Sequence, residues 1–250
     1  NKTLLLSSGS HGKYLGRIDL DVKGGEVIDY SSTLIPVFSD VITPDPEMSA
    51  HIDALRAPYE AECNRVIGST SGLLYRRGNF NGTWDDLICQ GIIEERDAEI
   101  SLSPGFRWGT TLLPGQDITI EDLYTQTSMS YPNVYRTEMT GAQIKNILED
   151  VCDNLFNIDP FYQQGGDMVR VGGMNYTCAP KASMGNRISD LTMTKTGEKL
   201  DADRKYVVGG WASVNENVEG PAIYDLMEGF ISRKKSVDLP AQQAVKVIGL

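Results

Sequence analysis

The chain has 250 residues, 40% hydrophobic and 23% charged, which allows one large soluble domain or one domain with part of another. Its formal net charge of −11 argues against generic nucleic-acid or anionic-membrane binding, so any anion site has to be a local positive spot on an acidic body. No apolar run approaches a membrane span and the chain starts at Asn1, so a mature protein or an excised piece is expected.

In chain order, residues 1–38 are predicted as strands and turns, with strands over 4–7, 14–22 and 26–30 and a hairpin signal at Lys23-Gly24-Gly25. A helix is predicted over 45–65, with Pro46 at its first position and Met48, Ile52, Leu55, Tyr59 and Cys63 at roughly helical spacing. It reads as a connector and places a domain boundary within residues 40–65.

Beyond residue 66, strands and helices mix without a repeat. A strand over 73–77 leads to a helix capped by Thr83 with Asp86 three residues on, burying Trp84, Leu87, Ile88, Gly91 and Ile92. A strand over 98–103 follows, then a short helix capped by Thr119, then a strand over 134–139. Thr140 and Gln143 form a T-x-x-Q capping box opening a helix with Ile144, Ile147, Leu148, Val151 and Leu155 on one face. Strands are predicted over 168–176, 188–194, 206–211 and 244–248, and Gly172-Gly173 within the first signals a bulge or a close backbone approach. Pro221 opens a last helix that buries Ile223, Leu226, Met227, Phe230 and Ile231. The fold class is α+β, a mixed sheet with helices packed on its faces.

Cys63, Cys89, Cys152 and Cys178 are widely spaced without a CxxC pair, so a zinc site is disfavoured; one disulfide is possible, its partners unassigned. His11 and His51 are the only histidines. That is poor equipment for a dinuclear metal hydrolase or a Ser-His-Asp apparatus.

Five loops combine glycine, aromatics and polar groups. Arg76 to Thr83 runs into a helix N-terminus, where backbone N–H groups favour an anion or simply cap the helix. Ser103-Pro104-Gly105-Phe106-Arg107-Trp108-Gly109 sets an arginine between aromatics at a strand end. Guanidinium binds tetrahedral oxyanions with a fork of donors; the alternative is an arginine snorkelling over the rings. The others are the turn Ser130-Tyr131-Pro132-Asn133, the segment Gln163 to Arg170, and the strand end at Trp211. Loops on a rigid scaffold are where sites are built.

The run from Gly105 through Leu148 resembles the C-terminal domain of the 5'-nucleotidase family, on its Gly-x-Arg loop, Gly115 to Leu123, Tyr131-Pro-Asn-Val134 and Met139 to Lys145. Gly12-Lys-Tyr-Leu-Gly16 resembles the end of that family's metallophosphoesterase domain. Within the family, Arg77 to Asp86, Ser103 to Gly109, Gln163 to Gly173 and Gly210 to Asn215 look like the SoxB branch, the thiosulfohydrolases (sulfate thiol esterases) of bacterial sulfur oxidation. The resemblance implies residues 1–40 as a β remnant of the metal domain, 41–65 as a linker helix and 66–250 as the substrate-binding domain. It also implies a periplasmic enzyme with two manganese ions whose ligands precede Asn1. The substrate would be a cysteine S-thiosulfonate on the SoxYZ carrier, and the bound group a sulfonate or sulfate.

By residue, the resemblance implies a substrate-binding set of Arg107, Trp108, Tyr131, Asn133, Asp167, Arg170 and Trp211, with no catalytic residue and no metal ligand in this chain. His11 falls after the family's Gly-His-x-His segment. Trp108 stands where nucleotidases have Asp, and Asn215-Glu216-Asn217 replaces their Gly-Gly-Asp-Gly; both departures disfavour nucleotide hydrolysis. Two alternatives are the same half of a 5'-nucleotidase or cyclic-nucleotide phosphodiesterase, with Tyr131 and Trp211 sandwiching a base, and a non-catalytic carrier-docking module.

Overall fold

The computed structural model describes residues 3–9, 12–76, 78–106, 109–128, 131–212, 218–239 and 243–249. The chain divides into two compact units, Asn1–Glu60 and Ala61–Leu250. None of the described helices is long and apolar enough to cross a membrane.

In the first unit, strands β1 (Tyr14–Lys23) and β2 (Glu26–Pro36) pair antiparallel from Tyr14↔Pro36 to Lys23↔Glu26. Gly24 and Gly25 make the turn at φ 61° and 85°, a conformation glycine adopts without a Cβ penalty. Ile18, Leu20 and Val22 alternate onto one face beside Tyr30 and Val27 across the ladder, and all five are exposed. A two-stranded ribbon standing alone is marginal in water. Residues 4–7, predicted as a strand, form none.

Helix α1 (Pro46–Arg56) starts where expected: Asp45 caps it by accepting from the Met48 N–H at 2.8 Å, and Pro46 is in its first turn. The single helix predicted over 45–65 is instead α1 followed by a four-residue turn, α2 (Glu60–Cys63). Pro58 is the physical reason, since its ring lacks an N–H and clashes with the carbonyl four residues back.

Among the described residues, the second unit holds three small sheets. Strand β3 is Val66–Thr70 and helix α3 is Thr83–Arg96. Next come β4 (Ile100–Ser103), β5 (Asp117–Thr119), α4 (Ile120–Thr127), β6 (Tyr135–Thr140) and α5 (Gly141–Phe156). They are followed by β7 (Arg170–Gly172), β8 (Met174–Cys178), β9 (Ile188–Met193) and β10 (Lys205–Gly210). Helix α6 (Ile223–Lys234), β11 (Ser236–Val237) and β12 (Val245–Val247) complete the unit. The sheet orders are β6-β10-β4-β7, β11-β3-β5 and β12-β8-β9. In the first, β10 and β4 run parallel and the outer strands antiparallel.

One core gathers Trp84, Ile88, Ile92, Leu123, Met227 and Phe230 between α3, α4 and α6; a second gathers Ile100, Ile144, Leu148, Met174, Tyr206 and Val208 between α5 and the sheets. The capping boxes at Thr119/Asp122 and Thr140/Gln143 both form, which sets where α4 and α5 begin.

Two local expectations are corrected. The cap of α3 is Gly82, not Thr83; the Thr83 hydroxyl instead donates to the Leu73 carbonyl and accepts from the Tyr75 N–H. That diversion explains why the strand predicted over 73–77 shrinks to one bridge, Leu74↔Leu112: the Tyr75 N–H is spent on a side chain.

The Gly172-Gly173 interruption separates β7 from β8. Gly173 sits at φ 76°, and a Cβ there would collide with the Glu99 carbonyl oxygen. Gly173→Ala is expected to cost about 1–3 kcal/mol, read as a lower urea midpoint at unchanged m-value; an unchanged midpoint would remove this reading.

Candidate functional site

Because β4 and β10 are adjacent and parallel, their carboxyl ends deliver two of the five loops side by side. Carboxyl ends of parallel strands are where ligand crevices form in open sheets. From β4 emerge Ser103, Pro104, Gly105 and Phe106; from β10 emerges Trp211. The Trp211 indole N–H donates to the Ser103 hydroxyl at 2.8 Å, and Phe106 packs edge-on against the indole with centroids 6.3 Å apart. Trp211 is thereby buried, only 3% exposed.

Beneath these loops lies a buried ionic cluster. Arg76 Nε donates to Asp85 Oδ1 at 2.8 Å, and Arg170 Nε to Asp85 Oδ2 at 3.2 Å. Arg170 also reaches Asp167 at 3.4 Å. The four side chains are at most 2% exposed. Burial raises the Asp85 carboxyl above its usual range, and the two guanidiniums oppose that rise. Burial pulls Arg76 down, and Asp85 opposes that shift. Asp85 stands in the first turn of α3, where the helix dipole also favours a carboxylate.

Other donors of the cluster hold backbone, while Arg170 Nη1 is buried without a hydrogen-bond partner among the described residues. Arg76 donates to the Gln126 carbonyl at 2.7 Å and the Pro104 carbonyl at 3.1 Å, and its guanidinium lies 5.2 Å from the Phe106 ring centroid. Arg170 donates to the Gly78 carbonyl at 2.6 Å. The Met168 N–H donates to the Asn79 carbonyl, and Gly105 approaches Asp167 and Met168 too closely for a side chain. Two carboxylates and two arginines thus tie together the loops at 78–81, 104–106 and 163–168 and the end of α4.

A cavity of about 620 Å³ opens beside this assembly, lined among others by Ser103, Pro104, Tyr135, Val169, Trp211 and Glu219. Burial pushes the Tyr135 hydroxyl up to about 12, so it stays a neutral donor at physiological pH.

Of the residues expected at the site, Arg107 and Trp108 lie outside the described residues, although their neighbours Pro104 and Phe106 are held by Arg76. Tyr131 is half exposed, and the Asn133 amide donates to the Val218 carbonyl at 2.8 Å, pinning that turn to the segment before α6. Asp167 and Arg170 come together, but inside the ionic cluster, where their charges face Asp85 and backbone rather than the cavity. Trp211 borders the cavity from a buried position. Sequence reasoning named Arg76 and Phe106 only as members of candidate loops and passed over Asp85 and Tyr135. For Asp85 a signal existed: it lies three and seven residues before Ile88 and Ile92, so a carboxylate sits on the helix's apolar stripe.

A family model described as 5'-nucleotidase, C-terminal domain, matches residues 66–228. The chain belongs to the 5'-nucleotidase C-terminal domain family. Among solved structures, the sulfate thiohydrolase SoxB of Thermus thermophilus is 33% identical, with a TM-score of 0.87, over 96% of this chain and 45% of that one. A 5'-nucleotidase precursor, also from Thermus thermophilus, is 16% identical, with a TM-score of 0.77, over 96% of this chain and 50% of that one. The NAD nucleotidase of Haemophilus influenzae is 14% identical, with a TM-score of 0.59, over 97% of this chain and 54% of that one. The two nucleotidases share the fold with this chain, which spans about half the length of these structures. Comparison with curated protein sequences gave no match.

Proposed function

We propose that this chain is the substrate-binding domain of a SoxB-type thiosulfohydrolase, an enzyme that removes the sulfonate from a cysteine S-thiosulfonate on the SoxYZ carrier as sulfate in the bacterial periplasm. The observation that carries the reading is the identity of 33% to a SoxB structure over nearly the whole chain, about twice that to either nucleotidase. The site is consistent with it. The loop bearing Arg107 is anchored next to a cavity of about 620 Å³, and an arginine there would orient a tetrahedral sulfonate.

Trp211 argues in the same direction. Its indole is buried, with its N–H spent on Ser103 and its flank covered by Phe106, which leaves little face to stack a nucleobase. For the two manganese ions implied by the reading, no group of three His, Cys, Asp or Glu among the described residues could hold a metal. The roles proposed for this chain are binding and orientation.

In the whole enzyme carrying this chain, sulfate release from S-thiosulfonated SoxYZ is the expected activity, and titration with adenosine is expected to give no heat of binding. Adenosine binding together with phosphate release from a nucleotide would replace this reading with the nucleotidase one. Carrier binding without sulfate release would favour a docking module.

A further inference from the structure

Cys152 on α5 and Cys178 at the end of β8 are both fully buried, and their sulfurs lie 3.6 Å apart as free thiols. Both belong to the core that packs α5 against β8 and β9. Nothing in the proposed binding role uses them. Sulfurs in van der Waals contact on opposing elements need an approach of about 1.5 Å to reach the ~2.05 Å of an S–S bond, a distance side-chain rotation and small shifts of α5 can supply.

We propose that Cys152 and Cys178 are the site of an intramolecular disulfide, formed as the chain folds in the presence of a disulfide oxidant. Thiolate exchange with the oxidant gives a mixed disulfide on one cysteine, and the second cysteine displaces it. In balance, two S–H bonds break, one S–S bond forms between the Sγ atoms, and the oxidant's disulfide takes up two electrons and two protons to become two thiols. In the folded chain with both thiols free, the hydrogen bond between them lowers Cys178 and raises Cys152. Because neither sulfur is exposed, exchange must precede closure of α5 over β8, and the finished bond is shielded from reductants.

The cross-link has a consequence for the site. The segment it closes runs from the end of α5 to β8 and contains Asp167 and Arg170, half of the buried ionic cluster. Tethering both ends of that segment limits how far it can open in the unfolded chain, which is the entropic origin of disulfide stabilisation.

The test uses the whole protein that carries this chain, folded once with reduced thiols and once with the glutathione/glutathione-disulfide couple. Each sample is denatured, alkylated without reduction and digested with trypsin. Cleavage after Lys145, Arg170 and Lys181 puts the two cysteines on separate peptides. The expected result is a joined pair of these peptides, lighter by two hydrogens, in the oxidised sample only, with a melting temperature about 10 °C above the reduced sample. Native oxidised protein is expected to resist dithiothreitol and to yield in denaturant. Separately alkylated Cys152 and Cys178 peptides in the oxidised sample would overturn the proposal. So would pairing of either with Cys63 or Cys89, or an oxidised sample melting no higher than the reduced one.

Discussion

Replacing Asp85 with alanine is expected to lower the unfolding free energy by about 3–5 kcal/mol, the range for removing one member of a buried ion cluster. The reason is what remains. Arg76 and Arg170 would be left as two buried positive charges sharing one empty site, with Asp167 still paired to Arg170. Their backbone bonds to Pro104, Gln126 and Gly78 would then have to hold both guanidiniums without a counter-charge between them. Asp85→Asn should fall between wild type and alanine, because the amide oxygen can still accept from one arginine. Urea titration followed by circular dichroism reads both variants. A loss under about 1 kcal/mol for alanine would mean that water reaches the cluster and that the loops are not tied by it.

Arg107→Ala carries the largest expected effect on activity. In a SoxB-type enzyme containing this chain, kcat/KM on the S-thiosulfonated carrier should drop by about 100- to 1000-fold, the usual cost of deleting one donor aimed at a reacting oxyanion. Stability should change little, by about 0.5 kcal/mol or less, because among the described residues the loop is anchored by Arg76 on Pro104 and Phe106 on Trp211. Steady-state kinetics beside a thermal melt separate the two effects. Unchanged turnover would return Arg107 to the snorkelling alternative, and a large fall in melting temperature would recast it as a structural arginine.

Much of the fold was legible because it rests on local chemistry. The T-x-x-Q box at Thr140, the apolar stripe of α5 and the Gly24-Gly25 turn are short-range signals, and each appears where the pattern puts it. The misses come from competing groups that the periodicity and capping patterns do not weigh. Pro58 divided the connector helix although the apolar spacing continues past it. Thr83 was read as a cap because Asp86 follows three residues later, yet its hydroxyl bonds to the 73–75 segment instead.

The candidate site divides along the same line. By itself the sequence determined the family resemblance, the α+β class and the loops at strand and helix ends, since glycine, proline and capping residues act on their immediate neighbours. Only the tertiary structure decided what Asp167 and Arg170 touch. Asp167 and Arg170 read as ligand groups in one dimension. In three they join Arg76 and Asp85 in one cluster, although Asp85 stands 85 residues before Arg170 along the chain. Desolvation forces that outcome: a charge that folding buries must find its partner within the protein, and which partner is near depends on how the sheet brings β4, β7 and the start of α3 together.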